Sequence, residues 1–496
     1  MPDRPVPTSL WLDTAPPPAR PPLGEDLEVD VAVIGAGIFG LTTAALLTEQ
    51  GASVAVLEMD RVGAGTTGYT TAKVTSAHGL IYADLESKHS EDASRAYADA
   101  NQAGLAWLRR TVEERGIECD WRDKPAYTYA EAGKDVPSIE EEVAAAQRAG
   151  LPVEFTDDTD LPFPIAGAIR YADQAEFHPT KFTNALADQL EREGCRIFEG
   201  TRATGVRDGE ACTVETDGGT VRADRVVVAT HYPFLDRGLF FTRLSPKRSY
   251  CLAVRARGDL PQGMYLRSTE PTRSIRSTPD FLVVGGESHK TGHGDPVAAY
   301  ARLEEFAHQR FDVESVEYRW ASQDNMPADE IPYVGHLTPL SDRILTGTGF
   351  RKWGFTNGVA AATMLADEIA GRDNPWRETF DSNRFTPRAA LPSIVKEGAD
   401  FSVSFVTDRV SPGDVGALDD LKAGEGGIVR DGLQRVAAYR DDAGELTVLS
   451  PTCTHLYCQV RWNGAERTWD CPCHGSRYDA HGTVIEGPAV RDLPRR

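Results

Sequence analysis

The stretch Asp30-Val-Ala-Val-Ile34-Gly35-Ala-Gly37-Ile38-Phe-Gly40-Leu41-Thr-Thr-Ala-Ala-Leu-Leu47 sets three kinds of segment end to end. A short β-branched run typical of a buried parallel strand comes first, then a glycine turn, then an apolar helical run. Gly35 allows the tight turn, Gly37 lets a pyrophosphate approach the backbone, and Gly40 lets helix and strand pack closely, with the helix N-terminus facing the phosphates. Alone the glycine pattern is weak and fits an ordinary βαβ turn. Here a second strand, Ser53-Val-Ala-Val-Leu57, ends in Glu58, at the distance where an acid accepts ribose hydroxyls. The combination predicts a dinucleotide site in an α/β domain. Because the acid disfavours a 2′-phosphate, the ligand is FAD or NAD rather than NADP.

The segment after Glu58 selects FAD. Gly63-Ala-Gly65-Thr66-Thr67-Gly68-Tyr-Thr70-Thr71-Ala-Lys73-Val-Thr-Ser-Ala-His78 is a small, hydroxyl-rich loop of the kind that wraps a flavin's pyrophosphate and ribityl chain. With these motifs, and with the Cys453-x-His455 and Cys471-x-x-His474 pairs near the C-terminus, the chain resembles the FAD-dependent oxidoreductases of the D-amino-acid oxidase and glycine oxidase superfamily, in the branch that carries a C-terminal Rieske domain. The resemblance covers nearly the whole chain. It implies a Rossmann-like, glutathione-reductase-type α/β FAD-binding domain with an inserted α+β antiparallel-sheet substrate domain, followed by an all-β Rieske domain. On that pattern residues 1–385 form the oxidoreductase, with FAD-binding segments at about 25–85, 175–240 and 325–385 and the substrate domain at about 86–174 and 241–324. A connector at 386–405 leads to the Rieske domain at 406–496.

Residues 84–115 have helical period with Leu105, Leu108 and Val112 on one face, which reads as a packing helix. Ser138-Ile-Glu-Glu141 reads as a capping box opening another helix, and a further helix is expected over 180–194. The resemblance places Gly35, Gly37, Ile38, Gly40, Glu58, Arg61, Gly65, Thr66, Thr67, Thr70 and Thr71 on the FAD, with Ala203 near the adenine and Thr230 at the end of a buried strand. Ile344 to Asn357 is similar to the last FAD-binding motif of the family, bringing Gly349, Lys352, Trp353, Gly354 and Thr356 to the flavin. The helix from Asn357 to Ile369 would aim its positive dipole at the ring. Candidate catalytic residues are Trp353, lining the substrate face, Lys352, adding charge, and His178, approaching from a loop. Relatives that oxidise amino acids hold the substrate carboxylate with arginine and tyrosine from the sheet, for which Arg248, Tyr250 and Arg276 are the candidates. Each also reads as a solvated or structural side chain. His78 could bond the flavin covalently or be structural. His289 and His293 flank a glycine-rich Lys290-Thr-Gly292 and read as a solvated loop more readily than as a metal site.

Near the C-terminus the chain reads Cys453-Thr-His455-Leu-Tyr-Cys458 and then Cys471-Pro-Cys473-His474-Gly-Ser476-Arg-Tyr478-Asp. This resembles a Rieske iron-sulfur site. The resemblance implies that Cys453 and Cys471 ligate one iron and His455 and His474 the other. Neutral imidazoles in place of two thiolates would raise the potential to roughly −150 to +300 mV, against about −400 mV for an all-cysteine plant-type cluster. Cys458 and Cys473 match the pair that forms a disulfide in the Rieske proteins of respiratory and photosynthetic complexes, the alternative in a reducing compartment being two free thiols. Ser476 and Tyr478 match hydroxyl donors that tune the cluster. Cys and His at short spacing also suit structural zinc.

At 496 residues, with 41% hydrophobic and 26% charged side chains, the chain is long enough for two or three domains. A net charge of −22 argues against nucleic acid or an anionic membrane as partner. No run approaches the ~20 apolar residues of a membrane span, and the Pro-rich start lacks a signal h-region, so a cytoplasmic location is expected. The other cysteines, Cys119, Cys195, Cys212 and Cys251, are scattered.

The resemblance implies a flavin-dependent dehydrogenase or oxidase of an amine or amino acid, forming an imine at a C-N bond. Electrons would pass from FAD to the fused Rieske 2Fe-2S cluster and then to an external acceptor, which could be a redox protein, a quinone or oxygen. The alternatives are an electron-transfer reductase feeding an oxygenase, a Rieske oxygenase, and a non-catalytic carrier. The reductase predicts a second nucleotide-binding turn, and no further Gly-x-Gly-x-x-Gly follows a strand. The oxygenase needs an iron held by two histidines and a carboxylate.

Overall fold

The computed structural model of the chain describes residues 8–386, 389–390, 415–431 and 434–496. The opening stretch forms what its pattern dictates: strand Leu27–Ile34, turn, and helix Ile38–Glu49. The strand is the middle of a parallel array whose neighbours are Val54–Leu57 on one side and Thr220–Val228 on the other, in register at Val31↔Val54 and Val31↔Arg225. Arg196–Phe198 extends one edge and Ile344–Thr348 the other, with Tyr333–His336 antiparallel beyond it. Valine and isoleucine runs suit strands covered on both faces, and Val31 to Ile34 and Val54 to Leu57 are all buried.

A second sheet of nine strands forms the other layer. Its longest members, Leu244–Ala256 and Val313–Pro327, pair antiparallel along almost their full length. The short strand Lys73–Val74 crosses into this sheet from the first domain. Met264–Arg267 and Arg273–Ser277 pair antiparallel within it as a hairpin. The expected packing helix is two, Ile81–Lys88 and Glu91–Glu114, broken where Ser90 caps the second through Ala93 N. The capping box at Ser138 is a misreading. The helix Val136–Arg148 already contains Ser138, because Pro137 sits in the first turn, where its missing N–H costs nothing.

The C-terminal region carries a three-stranded and a four-stranded antiparallel sheet. They pack around Trp469, Tyr478, Val460 and Leu449. The connector expected at 386–405 lies outside the described residues except for 386, 389 and 390. Among the described residues no helix is long and apolar enough to cross a membrane.

Candidate active site and cluster site

A cavity of about 560 Å3 runs from the glycine turn to the inner face of the nine-stranded sheet. Of the residues expected on the FAD, Gly35, Gly37, Ile38, Glu58, Gly65 and Thr66 line it, as do Thr67, Thr70, Thr71, Ala203 and Thr230. Gly35 has φ +112°, and a Cβ there would stand 2.5 Å from the carbonyl of Ala229, so the turn excludes any other residue. Thr67 Oγ1 accepts from Ile38 N at 3.1 Å, closing the hydroxyl loop over the helix N-terminus. Glu58 Oε2 accepts from Ala36 N at 2.8 Å and Oε1 from Asp60 N at 2.9 Å. Burial pushes its carboxyl up to about 7. The glycine turn, the hydroxyl loop and this acid fit a dinucleotide.

Lys352, Trp353 and Gly354 also line the cavity. Arg351 and Lys352 both adopt left-handed backbone, φ +52° and +74°, which costs of order 1–3 kcal/mol each and aims the next residues inward. Lys352 Nζ donates to Ser288 Oγ at 2.9 Å. Trp353 stacks on His78, centroids 4.6 Å apart. The helix Gly354–Ile369 starts directly at the cavity, three residues earlier than expected.

Other expected site residues do different work. Gly40 packs the helix against the Gly35 carbonyl. Arg61 lies 3.8 Å from Glu199. Gly349 packs on Leu244 and Pro327. Thr356 Oγ1 donates to Thr75 O at 3.1 Å. None of these four lines the cavity. His178 caps the helix Pro179–Arg192 and bonds Thr14 Oγ1 at 2.9 Å, and burial takes it down to about 4. It stands away from the cavity. So does Arg276, buried against Glu176 at 3.0 Å with the carbonyls of Thr71 and Ala72. His78 is engaged by Tyr97 Oη and Thr75 O, both at 2.7 Å, and does not reach the cavity.

Arg248 and Tyr250 do line the cavity, and both have protein partners. Arg248 Nη2 meets both oxygens of Glu466 at 2.5 Å. Tyr250 Oη bonds His289 Nε2 at 2.8 Å, while His289 Nδ1 donates to Lys290 O at 2.9 Å. With both ring nitrogens engaged, His289 is no metal ligand.

At the second site Cys453, Cys471 and His474 are buried, and the rings of His455 and His474 lie 5.1 Å apart at 86°. The Cys471 thiol beside it, and after it the Tyr478 hydroxyl, bring Cys453 down to about 6 against the opposing effect of burial. Tyr478 Oη is 3.2 Å from Cys453 Sγ, and Ser476 adjoins the same sulfur. Cys458 and Cys473 form a disulfide. With that pair oxidised, the remaining donors are two thiols and two imidazoles, which fit a mixed-ligand cluster.

The two sites meet at a seam. Gln323, in the cavity wall, donates through Nε2 to Gly475 O at 2.8 Å, next to His474, and Thr291 Oγ1 holds its Oε1 at 2.7 Å. Gly475 has φ +79° and a Cβ there would stand 2.6 Å from Pro246. His455 Nε2 bonds Asp236 at 2.7 Å, and Phe241 meets the His474 ring edge-on at 5.7 Å. Glu486 approaches His231 at 3.4 Å and Arg477 at 3.5 Å. Gln323, Asp236, Glu466 and Glu486 carry no sequence motif; only the fold brings them together.

Residues 30–368 match the family described as FAD dependent oxidoreductase, and residues 411–495 the Rieske [2Fe-2S] domain. A protein of Bacillus subtilis named for a Rieske 2Fe-2S centre, YhfW, is 36% identical over 495 residues, covering 98% of this chain and 97% of that one. The cytochrome b6-f complex iron-sulfur subunit 1 of Nostoc is 40% identical over 96 residues, 19% of this chain and 49% of that protein. Among solved structures, glycine oxidase from Geobacillus kaustophilus aligns with TM-score 0.62 at 21% identity, covering 72% of this chain and 99% of that one. L-proline dehydrogenase from P. horikoshii aligns with TM-score 0.61 at 17% identity, covering 73% and 98%. At these identities the structural likeness shows the fold alone.

Proposed function

The chain belongs to the FAD dependent oxidoreductase family and carries a Rieske [2Fe-2S] domain behind it, and from that premise we propose that it dehydrogenates an amine or amino acid and passes the electrons through the cluster to an external acceptor. The observation that carries this reading is the Gln323 bridge, one side chain reaching from the FAD cavity to the backbone beside His474. Bound FAD supplies hydride acceptance and the cluster one-electron transfer.

The residues of the chain do the rest. The antiparallel sheet walls the cavity with Ser249, Cys251, Ser274 and Gly285. Asp324, buried in that wall with its carboxyl pushed up by desolvation, is placed to accept a proton or hydrogen bond from the substrate nitrogen. The first N–H groups of Gly354–Ile369 would supply positive potential to an anionic group bound at that end of the cavity. Rieske residues Glu466, Thr468 and Arg477 complete the wall and keep water out. The pairing of Arg248 with Glu466 favours an amine held without an arginine clamp.

Anaerobic titration with a panel of amines and amino acids tests this, with flavin absorbance and the EPR signal of the reduced cluster followed together. A substrate should bleach the flavin and a Rieske signal should then grow. A signal obtained only with dithionite would sink the relay.

A further inference from the structure

Part of the wall of the FAD cavity comes from the Rieske domain. Ile485, Glu486, Gly487, Ala489 and Val490 line it. At the end near Glu58, Thr201 N donates to the Glu58 carbonyl at 2.8 Å. The next residue, Arg202, pairs with Asp492 at 2.9 Å and donates to Val484 O at 3.3 Å. At the hydroxyl loop, Thr66 Oγ1 lies 3.3 Å from His231 Nδ1, and the same nitrogen stands 3.4 Å from Glu486. One short Rieske stretch therefore reaches two places on the dinucleotide site, the segment paired with Glu58 and the hydroxyl loop at Thr66.

That stretch is fixed to the cluster loops. Ala489 N donates to Ser476 Oγ at 3.0 Å and Thr454 Oγ1 to Arg491 O at 2.5 Å, while the bond from Val484 N to Asp492 Oδ1 at 3.0 Å closes the stretch on itself. The Glu486 charge is met by Arg477 at 3.5 Å and Arg248 at 4.0 Å, so it does not face the phosphates uncompensated.

We infer that residues 484–492 of the Rieske domain form the last wall of the FAD site and retain the dinucleotide, so that FAD leaves only when the Rieske domain is unseated. The inference holds whatever the substrate is. It also means that a chain whose cluster loops are not folded sheds its flavin.

The test uses the full-length, FAD-loaded, cluster-loaded protein. The double variant Glu486→Gln/Asp492→Ala is compared with wild type and with Asp442→Ala, which removes an ion pair to Arg467 within the Rieske domain but away from the cavity. After dilution, the rise of free-FAD fluorescence gives the release rate. The double variant should release FAD about tenfold faster, the size expected from losing one partly buried and one exposed contact, with the Rieske EPR signal retained and Asp442→Ala unchanged. An unchanged release rate in the double variant with an intact cluster signal overturns the inference. Should the double variant also lose its cluster, hydrogen exchange of the wild-type chain with and without FAD decides. Protection of the 484–492 amides by FAD supports the inference, and equal exchange overturns it.

Discussion

Glu58 is under two opposing pressures. Burial favours the neutral acid and sets its pKa at about 7, while the ribose hydroxyls that it is placed to receive favour the carboxylate. In the empty site the acid therefore binds a proton below about 7 that FAD must expel. Linkage fixes the sign: FAD affinity should fall by up to about tenfold per pH unit below 7 and level off above it. Dissociation constants measured between pH 5.5 and 8.5 would show this slope, and Glu58→Gln should bind more weakly at pH 8 with no slope. A flat wild-type profile would remove Glu58 from the ribose site. The position of Glu58 was legible because turn, strand and acid lie within one βαβ unit, and the grouping of Cys453 with His455 and of Cys471 with His474 was legible because each pair is local. The partners of Arg248, Tyr250, Arg276 and His178 were not. Those partners, Glu466, His289, Glu176 and Thr14, lie 39 to 218 residues away for the hydrogen-bonded pairs, and charge alone does not tell a clamp from a structural ion pair.

The same limit shows at the scale of elements. Helix Ile81–Lys88 begins after Leu80, which has no side chain able to cap it. Glu142, from the middle of helix Val136–Arg148, supplies the cap instead, accepting from Tyr82 N at 3.0 Å and Ala83 N at 2.8 Å. A tertiary carboxylate thus does what a local Ser or Asp does elsewhere, which no pattern within the helix could reveal. Glu142→Ala leaves two buried donors unpaired and should cost about 1–3 kcal/mol. Glu142→Gln keeps one acceptor and should cost less. Urea midpoints of the FAD-loaded chain check the order, and equal midpoints for all three proteins would show that the cap contributes nothing. The parallel strands, by contrast, needed only their β-branched runs to be placed, since burial on both faces leaves no other composition.

At the scale of the whole molecule, the two cofactor sites share walls rather than a single point of contact. A buried set of charges, Arg248, Arg477, Glu466, Asp470 and Glu486, joins the domains. Such a set is costly to break one member at a time, because the remaining charges stay buried and unpaired. It makes the seated arrangement specific, and it lets a single side chain bridge the sites. Gln323 is that bridge, and Thr291 sets its orientation. Gln323→Ala should slow reduction of the cluster at least about tenfold after the flavin has bleached, since losing a direct hydrogen-bonded contact replaces a covalent and hydrogen-bonded path with a gap. Thr291→Val leaves the bridge in place but frees its amide to turn, so its effect should be smaller and in the same direction. Stopped-flow absorbance at saturating substrate separates the two steps, because the bleaching phase should keep its rate in both variants. If cluster reduction kept its wild-type rate in Gln323→Ala, the electrons would have to cross elsewhere on the seam, and the contacts of His455 with Asp236 and of His474 with Phe241 would be the next to remove.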